Sequence, residues 1–218
     1  RLLFFLVLYN VLMERFHQTN KECVLHITLI QPRSPWGAHP YLPNGVLSVA
    51  ARCKIAGVTA SIIDENLGDR LDEPDIRDQL RRADIIGVGA LGSPYIPEAL
   101  RVGQTLRKLG YLQPLAIGGE VIMRLSSKQF GHIFHTLGDV RQVASDEALD
   151  DLLGSSSLVR IGEGFPSMYN TSMGPVVNEL SRRMRQAYFS KEWCLFTSQG
   201  CAYSCNFCAA SKGRREQF

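Results

Sequence analysis

Ala83-Asp84-Ile85-Ile86-Gly87-Val88-Gly89-Ala90 is the stretch on which the fold turns. From Ile85 to Ala90 every residue is apolar or glycine. A strand with one wet face would alternate apolar and polar residues; a near-continuous apolar run fits a strand covered on both faces. Strands of that kind sit in parallel sheets, where each must be followed by a crossover, usually a helix. The flanking sequence should therefore alternate strands with helices.

It does so in both directions. Upstream, Cys23 to Ile30 is a β-rich run closed by Gln31-Pro32, and Gly45 to Ala56 has helical spacing, with Val46, Val49, Ala50 and Cys53 on one face and Gly57 as the stop. Val58 to Ile63 reads as a second strand ending at Asp64, and Asp75 to Arg82 as a short helix. Downstream, a helix is expected from Pro97 to Leu109, closed by Gly110, then a strand from Pro114 to Ile117 that runs into Gly118-Gly119-Glu120. Ser126 to Leu137 reads as a capped helix, Val140 to Val143 as a weak fifth strand, and Asp146 to Leu153 as a last helix. The expected class is α/β: an open, doubly wound, Rossmann-like parallel sheet over residues 22–153, with helices on both faces.

Bulk properties agree with an ordinary globular chain. Of 218 residues, 45% are apolar and 21% charged, and the net charge of +3 is too small to argue for nucleic acid. Arg182, Arg183, Arg185, Lys191, Lys212, Arg214 and Arg215 concentrate the bases late in the chain, which reads as a solvated helix face. Leu2 to Met13 is apolar but shorter than the ~20 residues a bilayer span needs, so residues 1–21 are taken as an extension outside the fold and no membrane partner is expected. Six cysteines, three of them crowded together, read as metal binding in a reducing, cytoplasmic setting.

Past residue 153 the pattern changes. Residues 154–189 read as a Ser-, Gly- and Asn-rich linker followed by a helix from Val176 to Tyr188. A second domain is expected from residue 190. Trp193 to Ser198 is its first strand, opening into Cys201-Ala202-Tyr203-Ser204-Cys205-Asn206-Phe207-Cys208. Three thiolates in so short a loop can bind three irons of a cubane and leave the fourth without a protein ligand. With 6 cysteines in the chain, a chance match to three fixed positions has odds of roughly half a per cent. Zinc sites more often pair two Cys-x2-Cys units.

This loop, with Thr197-Ser198-Gln199-Gly200 before it, resembles the signature of the radical S-adenosylmethionine (SAM) superfamily. The resemblance implies that Cys201, Cys205 and Cys208 ligate a 4Fe–4S cluster, that SAM binds the open iron, and that Phe207 lies beside its adenine. Reductive cleavage of SAM would then release a 5′-deoxyadenosyl radical, with flavodoxin or ferredoxin as the kind of electron donor. The family's later motifs would lie beyond Phe218, so the chain reads as the front part of such an enzyme, its (β/α) barrel truncated and the fragment itself inactive. Gly118-Gly119-Glu120 has the letters of one later motif, but it precedes the loop and cannot serve as that motif.

A doubly wound domain upstream of such a loop resembles the cobalamin-binding domain of the cobalamin-dependent subfamily. Pro43-Asn44-Gly45-Val46-Leu47, Asp64, the third strand with Gly92-Ser93, and Ile117-Gly118-Gly119 carry that likeness. It implies cobalamin contacts at Asn44, Ser93, Gly118 and Gly119, and radical modification, such as methylation, of an unactivated carbon in an unknown substrate. The Asp-x-His-x-x-Gly segment that supplies an axial histidine elsewhere is missing. His26 lies within the first strand and His39 lacks the motif, so no histidine ligand is expected from this domain. Two alternatives stand beside this reading. One is a non-catalytic cobalamin-binding or interaction module with an inert cysteine loop. The other is a methylthiotransferase-like enzyme, which would need three upstream cysteines where this chain offers Cys23 and Cys53.

Overall fold

A computed structural model describes residues 25–37, 42–154, 174–177, 180–189, 198–199 and 216–217. The chain divides into two compact units, residues 1–39 with 43–180, and residues 40–42 with 181–218.

Five strands of the first unit form one sheet: β1 (His26–Gln31), β2 (Thr59–Asp64), β3 (Ile85–Gly89), β4 (Leu115–Gly118) and β5 (Val140–Val143). Their order is β2-β1-β3-β4-β5 and every pairing is parallel. Between them run α1 (Asn44–Ile55), α2 (Pro74–Arg82), α3 (Tyr95–Lys108) and α4 (Ser127–Phe134), and α5 (Asp146–Gly154) follows β5. The α/β, doubly wound class read from Ile85 to Ala90 is the class observed, and β3 is buried through Ile85–Val88. The strand order reverses beside β1, and sheets of this type leave a crevice there, outside the carboxyl ends of β1 and β3.

The two faces differ in how they are filled. Ile30, Ile63, Ile86, Val88, Leu115 and Ile117 point to one face and meet Ile76, Leu80, Val102, Leu106, Phe130 and Phe134 of α2, α3 and α4 in one continuous core. By alternation, the opposite face carries Ile27, Leu29, Gly87, Gly89 and Ala116. Its floor is shallow at the centre: a Cβ on Gly87 would lie 2.6 Å from Leu29 Cδ2, and one on Gly89 would lie 3.3 Å from Val46 Cγ2 of α1. Here α1 and α5 are joined by Arg52, whose Nη2 donates to both carboxylate oxygens of Asp150 at 2.7 Å. Arg52 is only 2% exposed.

Local signals explain the boundaries. Ser126 caps α4 in a reciprocal capping box with Gln129, and the helix tightens into a 3-10 turn at His135–Leu137 instead of remaining α-helical to Leu137. Gly110 ends α3 at φ +86°, a conformation side chains other than glycine rarely adopt. The single helix expected over 176–188 is instead two, α6 (Gly174–Val177) and α7 (Arg182–Phe189). Leu180 and Ser181 are not helical, and the Ser181 hydroxyl accepts from Met184 N at 3.1 Å, the bond of a new helix start.

In the second unit, α7 buries Met184 and Tyr188 and exposes Arg182, Arg183 and Arg185, a solvated basic face. β6 (Ser198–Gln199) pairs antiparallel with β7 (Glu216–Gln217). The rest of the strand expected from Trp193, most of the linker from Gly154, and the apolar run Leu2–Met13 lie outside the described residues. Among the described residues no helix is long and apolar enough to cross a membrane.

Candidate functional site

Loops from four strands gather at the carboxyl edge of the sheet, and hydrogen bonds lock two of them together. Asp64, fully buried at the end of β2, accepts from Asn66 N and Asn66 Nδ2, both at 2.8 Å. That turn presents Asn66 to the loop after β1: Asn66 Nδ2 donates to the Pro32 carbonyl at 3.1 Å, and Ser34 N donates to Asn66 Oδ1 at 2.6 Å. Asp64 is thus a turn-forming residue that fixes the β1 loop.

A second layer is ionic. Glu98, in the first turn of α3, accepts from Arg33 Nε at 2.9 Å and Arg101 Nε at 2.7 Å. Arg101 also donates to Glu65, whose carboxylate accepts from Arg33 N at 3.1 Å. Burial raises the Glu98 pKa, but the hydrogen bonds from Arg101 and Arg33 outweigh it and hold the carboxyl below its ordinary value. The loops after β1 and β2 are thereby tied to α3.

What those loops present is apolar and accessible. Trp36, 69% exposed, meets Tyr95 edge-on with ring centroids 6.1 Å apart. Leu91, beyond β3, is also largely exposed, and Met123, beyond β4, partly so. None of these three was singled out by sequence, because a lone tryptophan or leucine in a loop has no motif around it.

The expected contact residues separate into two groups. Asn44 opens α1 half-buried and Ser93 stands exposed after β3, both at this edge. Beside them there is room: a Cβ on Gly45 would meet nothing within 4 Å, and one on Gly92 only Pro94 Cδ at 3.8 Å. Gly118 and Gly119 lie at the same edge, half-buried and exposed, but the protein fills the space where a Cβ would go. A Cβ on Gly118 would sit 3.3 Å from Val143 Cβ, and one on Gly119 would sit 2.3 Å from the Ala90 carbonyl oxygen. Gly119 has φ +122°. The pair lets β4 leave the sheet against β3 and β5.

His26 belongs to the other edge. It opens β1, and its ring bonds Thr59 Oγ1 at 2.8 Å and Ser61 Oγ at 3.2 Å on β2. It cannot be an axial ligand for anything bound at the carboxyl edge. Cys53 is buried, and burial pushes its thiol up to about 12, a packed and unreactive side chain. It packs on the inner face of α1, the core position that its helical spacing suggests. Cys23, His39, Cys194, Cys201, Cys205, Phe207 and Cys208 lie outside the described residues, and no group of three or more potential metal ligands occurs among the described ones.

No protein-family model matches the chain, and no curated protein does. Among solved structures it is similar to the cobalamin-dependent S-adenosylmethionine radical enzyme OxsB with aqua-cobalamin and S-adenosylmethionine bound. The TM-score is 0.55 at 19% identity, over 86% of this chain and 28% of that one. The same enzyme with aqua-cobalamin bound gives 0.54 at 19% identity, with the same coverage. The radical S-adenosylmethionine methyltransferase TsrM from Kitasatospora setae, with cobalamin and a [4Fe-4S] cluster bound, gives 0.45 at 15% identity, over 66% of this chain and 26% of that one, too low to carry an argument. The likeness to OxsB establishes a shared fold, and the chain spans 28% of that enzyme's length.

Proposed function

We propose that this chain is the front part of a cobalamin-dependent radical SAM enzyme. The observation that carries the reading is a conjunction: a Cys-x3-Cys-x2-Cys loop follows, in sequence, a β2-β1-β3-β4-β5 sheet of the fold shared with OxsB. Cobalamin would lie across the carboxyl edge, near Asn44, Gly45, Gly92 and Ser93, with Trp36 and Leu91 offering apolar surface to a broad ring. The openness at Gly45 and Gly92 fits such a ligand, and at Gly118 and Gly119 the bare backbone would border it. Cys201, Cys205 and Cys208 would hold a 4Fe–4S cluster and Phe207 would border the SAM adenine. Bound together, the cofactors supply radical chemistry at an unactivated carbon, including methylation, with electrons from a flavodoxin- or ferredoxin-like donor. The chain's own residues bind and orient them.

The test is a titration of the anaerobically reconstituted chain with hydroxocobalamin, followed by absorption. Cobalamin should bind with a spectrum lacking histidine ligation, and Gly45→Val should weaken binding by filling the open space. Iron analysis should give one cluster per chain, lost in each of Cys201→Ala, Cys205→Ala and Cys208→Ala. An unchanged cobalamin spectrum would remove that cofactor. Cobalamin binding with no cluster in the unaltered chain would favour the non-catalytic module.

A further inference from the structure

Two histidines stand three residues apart where α4 tightens. His132 lies in the last turn of α4, and His135 opens the 3-10 turn that follows it. Residues at that spacing are neighbours on one face of a helix. Phe130, Phe134 and Leu137 take the inner face. Both imidazoles are exposed, their rings nearly parallel at 23° with centroids 6.3 Å apart. The surroundings are open: a Cβ on Gly131 or Gly138 would meet nothing within 4 Å.

The His135 ring is held in one tautomer. Its Nδ1 lies 2.8 Å from the His132 carbonyl oxygen. A carbonyl can only accept, so Nδ1 carries the hydrogen, and in the neutral ring the Nε2 lone pair is left for another partner. A backbone carbonyl on the nitrogen that does not ligate is how metal-binding histidines are commonly oriented. The spacing fits as well. A metal ion bonded to one imidazole nitrogen sits roughly 3.2 Å from the ring centre, so 6.3 Å is close to the most that two such rings can span, and a tetrahedral angle asks for about 5 Å. Rotation of the exposed His132 side chain about χ1 closes that difference, and rotation about χ2 aims its nitrogen.

We propose that His132 and His135 chelate a borderline divalent cation of the first transition row, of the zinc, nickel and copper(II) kind, whose other positions water fills. Imidazole nitrogen suits these ions, whereas magnesium prefers oxygen. With two protein ligands the site is open, unlike a four-ligand structural zinc site. Lys128, four residues before His132 on the same face, adds a like charge that limits the affinity. The ligands are imidazoles, not the thiolates of Cys201, Cys205 and Cys208, so the site is independent of whether a cluster loads there.

The test is titration of the ¹⁵N-labelled 218-residue chain with Ni²⁺, read from paramagnetic broadening of backbone amides. The amides of residues 131–136 should broaden and saturate, and Mg²⁺ should leave them unchanged. His132→Ala and His135→Ala should each weaken this local effect at least about tenfold, with the rest of the spectrum unaltered. Gly131→Ala, whose Cβ meets nothing, should bind like the unaltered chain, and Lys128→Gln should bind more tightly. Absence of saturable broadening at residues 131–136 would overturn the proposal. So would broadening that survives either histidine substitution at full strength, since one imidazole alone is not a chelate.

Discussion

The two edges of one sheet are held by different chemistry. At the carboxyl edge, full charges do the holding: Arg33, Arg101, Glu65 and Glu98 clamp loops to α3. At the amino edge the bonds run to neutral groups more than between charges: the His26 ring to Thr59 and Ser61 on the next strand, and Arg107 to the carbonyls of Tyr111, Gln113, Leu137 and Asp139, with His26 N donating to Asp84 Oδ2 at 2.8 Å. Loops that extend away from a sheet have lost ladder partners and need side chains to fix them, whereas residues at strand starts still have neighbours on the next strand.

The largest effect should come from a residue that serves neither edge alone. α1 runs from Asn44 at the carboxyl edge, and near its far end Arg52 is tied to Asp150. Asp150→Ala leaves a guanidinium that is 2% exposed without its carboxylate, which should cost about 3 kcal/mol in urea unfolding. The double variant Arg52→Met, Asp150→Leu should lose much less, because the buried charge is then gone. A single variant no less stable than the double would show that this pair is not what seats α1 and α5.

A middle-sized effect separates glycines that pack from glycines that leave room. Gly119→Ala forces a Cβ to 2.3 Å from the Ala90 carbonyl oxygen, at φ +122°, and should cost about 2 kcal/mol or more. Gly45→Ala meets nothing within 4 Å and lies in α1, so it should be neutral or stabilising by up to about 1 kcal/mol. Equal urea midpoints would erase the distinction drawn between these two parts of the carboxyl edge.

That distinction was not visible in the sequence, although the sheet was. The apolar run Ile85–Ala90 and the alternation around it carry the fold because parallel strands must be apolar on both faces and must be joined by crossovers. A glycine at a strand end is compatible with a ligand or with a neighbouring backbone, and only coordinates tell which. The same topology puts Asn44 and Ser93 at the carboxyl edge, where they lie. Arg52 and Asp150 could have been suspected, since an arginine beside Cys53 on a buried helix must find an anion, but the partner lies 98 residues away. Trp36 and the Glu65–Arg101–Glu98–Arg33 clamp join three separate segments and have no local signature at all.

The smallest effect concerns pH, and it should loosen the two edges in different windows. At the carboxyl edge, burial of Glu98 works against the charge, but bonds from Arg101 and Arg33 prevail and its pKa lies below the ordinary 4.5. A carboxyl with a depressed folded pKa contributes stability that is present above its unfolded pKa and is lost as pH falls through the folded one. The carboxyl-edge contribution should therefore be lost as pH falls from about 4.5 through the lowered folded value, by less than about 1 kcal/mol for a group near the surface. At the amino edge, burial and the nearby Arg82 lower the His26 pKa from 6.5, with Asp84 opposing. The folded state keeps this ring neutral where the unfolded chain would protonate it. Unfolding free energy should thus fall as pH drops from about 6.5 towards the lowered value. Urea midpoints measured from pH 8 to pH 3.5 should show both steps. Glu98→Gln should shrink only the acid step, to which Asp72 and Glu147 also contribute, and His26→Gln should remove only the step near neutrality. Trp36 fluorescence in a Trp193→Phe background should follow the Glu98 step and ignore the His26 step, because Trp36 sits in the clamped loop. A tryptophan signal that moves with His26 would mean that the two edges open together and that the sheet does not insulate one from the other.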